Sequence, residues 1–147
     1  MQNLDYAPHI TLGIYETVEP DLLCDALDQI FVELPALTLR FNRLNVFDGP
    51  SPILWVAPVA SETLVLLSRK LHALIDPELC HHHYRPNTWR PHCTLGTDIR
   101  PEYADAARDF TRRRVSPFDV IFDRADCVAF LPVKILKSTD LSASSRS

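Results

Sequence analysis

The sequence has no surplus of basic residues: 15 Lys and Arg stand against 19 Asp and Glu, a formal net charge of -4. Proteins that coat long nucleic acid neutralise its phosphates with Lys and Arg, so long duplex nucleic acid is excluded as a partner. A small nucleotide or a single RNA end, held by a few local donors, is not. No apolar run approaches the roughly 18 residues of a membrane span, so no membrane partner is expected. Met1 to Pro8 lacks a basic segment followed by an apolar one, so no signal peptide is expected either. The four cysteines, Cys24, Cys80, Cys93 and Cys127, form neither a Cys-x-x-Cys pair nor a zinc-finger spacing. They read as reduced, mostly buried thiols, and the expected localisation is cytoplasmic.

What is present is an ordinary globular composition, 46% apolar and 23% charged over 147 residues, enough for one domain with a real core. Hydrophobic periodicity divides it. Pro8 to Tyr15 alternates as a strand, and Asp21 to Leu34 repeats at helical spacing until Pro35. Ala36 to Phe47 reads as a strand or bent hairpin, followed by the turn Asp48-Gly49-Pro50-Ser51-Pro52 and the buried strand Ile53 to Val59. Ser61 caps a second helix that runs to Ile75. Asp76 to Pro91 is a long polar loop, and Pro91 to Ile99 repeats the first strand. Glu102 to Arg114 is a third helix, whose Arg112-Arg113-Arg114 end suits the helix dipole. Pro117 to Phe130 and Leu131 to Lys137 supply further strands, and 141–147 reads as a disordered Ser-rich tail.

One hexapeptide occurs twice. Pro8-His9-Ile10-Thr11-Leu12-Gly13 and Pro91-His92-Cys93-Thr94-Leu95-Gly96 differ at a single position and lie at a constant offset of 83 residues. The offset carries Leu37 onto Val120, Leu39 onto Phe122 and Phe47 onto Phe130, and it overlays the first helix on the third. The expectation is one domain over residues 1–140, built of two repeats, 1–52 and 53–140. Its fold class is α+β: pseudo-twofold, bilobed antiparallel sheets with outer helices around a central cleft. Only eight residues precede His9, whereas a strand and a helix precede His92. The first lobe is therefore expected to be shortened, with a sheet edge that a homodimer covers.

Duplication of a structural unit would explain two copies without chemistry. Three features favour chemistry. His and Thr at i and i+2 share one strand face, the aliphatic neighbours take the other, and two copies supply two imidazoles. Phosphodiester cleavage needs one neutral imidazole to accept a proton from the attacking group and one protonated imidazole to give a proton to the leaving oxygen. Two Thr hydroxyls can donate to the non-bridging oxygens. His9 and His92 are thus the candidate catalytic pair, Thr11 and Thr94 the candidate phosphate-binding pair, with no metal and no cofactor in the scheme.

The tandem His-x-Thr pattern resembles the 2H phosphoesterase superfamily, in particular its branch of 2'-5' RNA ligase-like proteins and cyclic phosphodiesterases. The resemblance implies a bilobed α+β fold and metal-independent hydrolysis of 2',3'-cyclic phosphates or related nucleotide and RNA-end phosphodiesters. A module that grips such ends without turning them over is the alternative. Many relatives carry a basic residue shortly after the second motif. Here Gly96-Thr97-Asp98 follows instead, so phosphate contacts are expected from elsewhere.

Weaker signals remain. Tyr84, Trp89 and Arg90 stand just before the second motif, where they either touch substrate or close the loop onto the core. His81-His82-His83 has no further ligand at a metal-binding spacing, so it reads as a polar loop rather than a metal site. Trp55 reads as core, and Arg40, Arg43 and Arg108 as solvated surface, with one of the first two able to face the cleft.

Overall fold

The turn Asp48 to Pro52 folds two strands against each other, and the rest of the first sheet grows from that hairpin. In the computed structural model, which describes residues 6–113, 116–130 and 133–141, β1 (Leu37–Phe47) pairs antiparallel with β2 (Ile53–Pro58). β2 pairs antiparallel with the short β3 (Cys93–Gly96). Together with β4 (Phe118–Phe122) they form a four-stranded sheet in the order β3-β2-β1-β4. One face is apolar and buried: Phe41, Val56 and Cys93 are at most 7% exposed, and Phe41 stacks on Phe118 with ring centroids 5.5 Å apart. A bulge between Phe41 and Arg43 interrupts the register of β1.

Elsewhere the chain makes a second packing unit. Pro20 starts the helix α1 (Pro20–Phe31) at a position where its missing N–H costs nothing. The helix ends three residues before the sequence pattern suggests, because Val32 is extended and Glu33 takes a left-handed φ of 57°. Helix α2 (Glu62–Leu74) has the expected cap: the Ser61 hydroxyl accepts from the Leu64 backbone N–H at 3.3 Å. β5 (Arg124–Ala129) and β6 (Lys134–Asp140) form a two-stranded antiparallel sheet against which α1 packs. Ala26, Leu27, Ile30 and Phe31 of α1 meet Leu67 and Leu71 of α2, Ile75 and Leu141 in one core cluster.

By contact the chain divides into two units that interleave in sequence. Of the described residues, one comprises 6–11, 40–60, 91–113 and 116–120; the other comprises 12–39, 61–90, 121–130 and 133–141. Both expected copies of the duplicated pattern contribute to each unit. The third helix is shorter than its counterpart: a turn of 3-10 helix, Pro101–Tyr103, leads into α3 (Ala104–Phe110). Arg112 and Arg113 lie beyond the helix, on Asp109 and over the Phe110 ring, and Arg114 lies outside the described residues, as does the tail from residue 142. Where β1 runs through as one bulged strand, the matching stretch breaks at Asp123 into β4 and β5. The offset of 83 carries the bulge onto residues 124–126, just past that break.

Two of the sequence-derived strands are shorter than their patterns. Pro8 to Tyr15 makes only isolated antiparallel bridges, Ile10 to Cys93 and Tyr15 to Cys80, and β3 covers four residues of Pro91 to Ile99. The two motif glycines also differ. A Cβ on Gly13 would lie 2.9 Å from the Tyr15 ring and 3.1 Å from Leu71 Cδ2, whereas one on Gly96 would meet nothing within 4 Å. Gly13→Ala is therefore expected to cost about 1–3 kcal/mol by overpacking, and Gly96→Ala well under 1 kcal/mol. Urea midpoints measured on the two variants side by side check this. Equal midpoints would mean that Gly13 is not held by close packing.

Candidate active site

The bridge between Ile10 and Cys93 joins the centres of the two motifs. In an antiparallel pair the flanking residues cross over, so His9 lies opposite Thr94 and Thr11 opposite His92. Strand alternation sends all four side chains to the face away from Ile10 and Cys93. Cys93 is buried at 7%, while His9, Ile10, Thr11, His92 and Thr94 are all half-buried. The Cys93 thiol is pushed up from its usual value by burial, and a hydrogen bond from the His9 backbone pulls the other way.

Each imidazole has its own setting. His9 Nδ1 lies 2.9 Å from the Ala7 carbonyl oxygen. A carbonyl can only accept, so Nδ1 carries the proton and Nε2 of neutral His9 is left as an acceptor. The Tyr6 ring lies 5.0 Å from the His9 ring, tilted by 56°. His92 is walled by two aromatic rings, Phe47 at 5.1 Å and Trp55 at 5.6 Å, both edge-on. Phe47 and Trp55 stack on each other at 4.7 Å. Trp55 is the cross-strand partner of Thr94, which is why its ring reaches the His92 side of the sheet. Trp55 is core, as its sequence suggests, and also wall. Its Nε1 is buried with no hydrogen-bond partner among the described residues, and an unsatisfied buried donor of this kind costs about 1–3 kcal/mol.

The other sequence candidates, Tyr84, Trp89 and Arg90, belong to the second unit. There the loop from Asp76 folds into two turns of 3-10 helix, Pro77–Leu79 and His82–Tyr84. His72 Nε2 donates to the Tyr84 carbonyl at 3.1 Å, burial raises the Tyr84 hydroxyl above its usual pKa, and the Trp89 N–H donates to the Arg85 carbonyl. Arg85 braces the loop by donating to the Cys80 and Glu78 carbonyls. In the triple-His stretch, His81 Nδ1 accepts from the His83 backbone N–H and the rings lean on one another. Among the described residues, no three His, Cys, Asp or Glu side chains come together in a way that could hold a metal ion. No described helix is long and apolar enough to cross a membrane.

Phe47 and the Ala7 carbonyl escaped the sequence reading. Neither belongs to a motif, and only the pairing of β1 with β2 brings Phe47 beside Trp55 and His92.

Comparisons with known proteins follow the same lines. Residues 3–131 match the family model of the 2'-5' RNA ligase superfamily. Among solved structures, one described as the crystal structure of a phosphoesterase is similar at 17% identity and a TM-score of 0.57, covering 92% of this chain and 77% of the other. Escherichia coli LigT, solved complexed with NADP+, is similar at 16% identity and a TM-score of 0.56, covering 92% and 76%. These two likenesses establish the fold, in agreement with the α+β class. No curated protein matches. With 129 of its 147 residues spanned by one family model and both His-x-Thr motifs joined at a single bridge, the chain belongs to the 2'-5' RNA ligase superfamily.

Proposed function

We propose that the chain is a phosphodiesterase that opens 2',3'-cyclic phosphates or related nucleotide and RNA-end diesters by two-histidine acid–base catalysis. The observation that carries this reading is the crossed register, which sets each imidazole opposite the other motif's threonine. A phosphate over that square meets two imidazoles and two hydroxyls at once. The His9 tautomer supports His9 as the base: Nε2 takes a proton from the attacking water. His92, protonated, gives its proton to the departing ribose oxygen as the P–O bond breaks. His9 ends protonated and His92 neutral, and exchange with solvent resets the pair. Thr11 and Thr94 donate to the non-bridging oxygens, where negative charge is held in the transition state. E. coli LigT, which shares the fold, was solved with NADP+, a nucleotide ligand.

The test is hydrolysis of a 2',3'-cyclic nucleotide in the presence of chelator. Both proton transfers fall to imidazoles, so turnover is expected to persist without added metal. Thr11→Val and Thr94→Val keep the side-chain shape and remove a donor, and each is expected to lower kcat on the order of 10²-fold. Binding without turnover by the unaltered chain would instead favour a non-catalytic module, and activity abolished by chelator would favour a metal site.

A further inference from the structure

We infer that the face bearing the four motif residues continues into a second phosphate subsite centred on Arg43, and that the substrate is an oligonucleotide with at least one phosphate beyond the reacting one. The inference rests on reading the square of His9, Thr11, His92 and Thr94 as the place of phosphodiester chemistry.

The pairing of the sheet carries it. Thr94 lies opposite Trp55, Trp55 opposite Asn45, and Ala57 opposite Arg43. Cross-strand partners share a face, as do residues two apart along one strand. Arg43, Asn45, Phe47, Trp55, Ala57 and Thr94 therefore share one face, and the mutual ring contacts of Phe47, Trp55 and His92 place the motif residues on it. From Thr94 to Arg43 is two strands across and one two-residue step along, roughly 12 Å between Cα atoms at usual sheet spacings. A long guanidinium shortens that gap to about the span between neighbouring groups on one extended ligand.

The surface there is concave. At the Arg43 end of that face, Arg43 and Ala57 join Asn42, Pro58, Val59 and Ala60 in lining an open depression of about 400 Å³. Charge singles out Arg43. The other described arginines of the same packing unit are engaged: Arg40 with Asp119 at 2.9 Å, Arg100 with Glu102, Arg108 with Asp48 and Asp105, and Arg112 with Asp109, while Arg113 lies over Phe110. Arg43 makes no ion pair among the described residues. The bulge explains why two arginines three positions apart differ so much. Alternation alone would place Arg40 and Arg43 on opposite faces. The extra residue turns both to one face, where Asp119 of β4 takes Arg40 and leaves Arg43 over the depression.

The test is calorimetric titration of the unaltered chain and Arg43→Gln with a 3'-phosphorylated uridine mononucleotide and with the matching 3'-phosphorylated trinucleotide. The unaltered chain is expected to bind the trinucleotide roughly tenfold more tightly, the worth of one charge-assisted contact. Arg43→Gln removes most of that ratio and makes the plot of log affinity against log salt shallower by about 0.7, one single-strand phosphate contact. Arg43→Lys restores part of both. Equal affinity for the two ligands, or a ratio and salt slope unchanged in Arg43→Gln, overturns the subsite. If the chain shows this Arg43-dependent preference yet turns over no cyclic phosphate, the subsite stands and the hydrolase reading fails.

Discussion

His92→Ala is expected to lower kcat for 2',3'-cyclic phosphate hydrolysis by about 10²–10⁴-fold, and His9→Ala by a similar factor. The two losses should not multiply in the double variant, because one proton-transfer chain is broken by either change. The variants are told apart by the leaving group. Opening a cyclic phosphate expels a ribose oxygen, a poor leaving group that needs the proton His92 is proposed to give. A nitrophenyl phosphodiester expels a phenolate that needs none. His92→Ala should therefore recover most of its activity on the aryl ester, and His9→Ala should not, because attack by water still needs a base. The reverse pattern would exchange the two roles. Full activity of both variants on the cyclic phosphate would remove the histidines from the chemistry. The assignment follows from one contact: the Ala7 carbonyl holds the proton of His9 on Nδ1 and leaves Nε2 open.

Phe41→Ala is expected to have the largest effect on stability. Phe41 is 1% exposed, is stacked on Phe118, and faces Pro58 at the edge of the bulge. Truncating a phenylalanine in such a position costs about 3–5 kcal/mol through lost transfer energy and an unfilled cavity. That is a large part of the about 5–15 kcal/mol that holds an ordinary domain together. Chemical denaturation followed by far-UV circular dichroism measures it. A loss below about 1 kcal/mol would show that the sheet collapses onto the gap and that the Phe41–Phe118 stack is not a fixed part of the core. Phe41 also sits where β1 bulges, so a folded Phe41→Ala variant should lose trinucleotide preference along with stability, through the misplaced Arg43.

Much of this was open to reading from residue order alone. Helix α2 with its Ser61 cap, strands β1 and β2 around the Asp48 to Pro52 turn, and α1 after Pro20 follow from local signals: periodicity, capping chemistry and turn residues. The duplicated hexapeptide marked His9, Thr11, His92 and Thr94, the residues that flank the Ile10–Cys93 bridge on either side. Boundaries were less legible. The left-handed turn at Glu33 ends α1 early against the pattern of its apolar residues. The motif stretch Pro8 to Tyr15 alternates like a strand, yet only Ile10 and Tyr15 find bridging partners. Alternation records which side of an extended chain is apolar, and it does not say whether a neighbouring strand is there to pair with.

The identity of the four polar residues at the candidate site, their i, i+2 spacing and their twofold occurrence are properties of the sequence by itself, because a strand's period of two is local. Their arrangement is not. That Ile10 bridges Cys93 and so brings the two motifs together, that Phe47 and Trp55 wall His92, and that a single bulge pairs Arg40 with Asp119 while leaving Arg43 without an ion pair among the described residues all depend on register between strands far apart in sequence. Register is set by the packing of whole faces, where a slip of one residue would turn Phe41, Val56 and Cys93 outward. No local pattern contains that information, and the tertiary structure alone decided it.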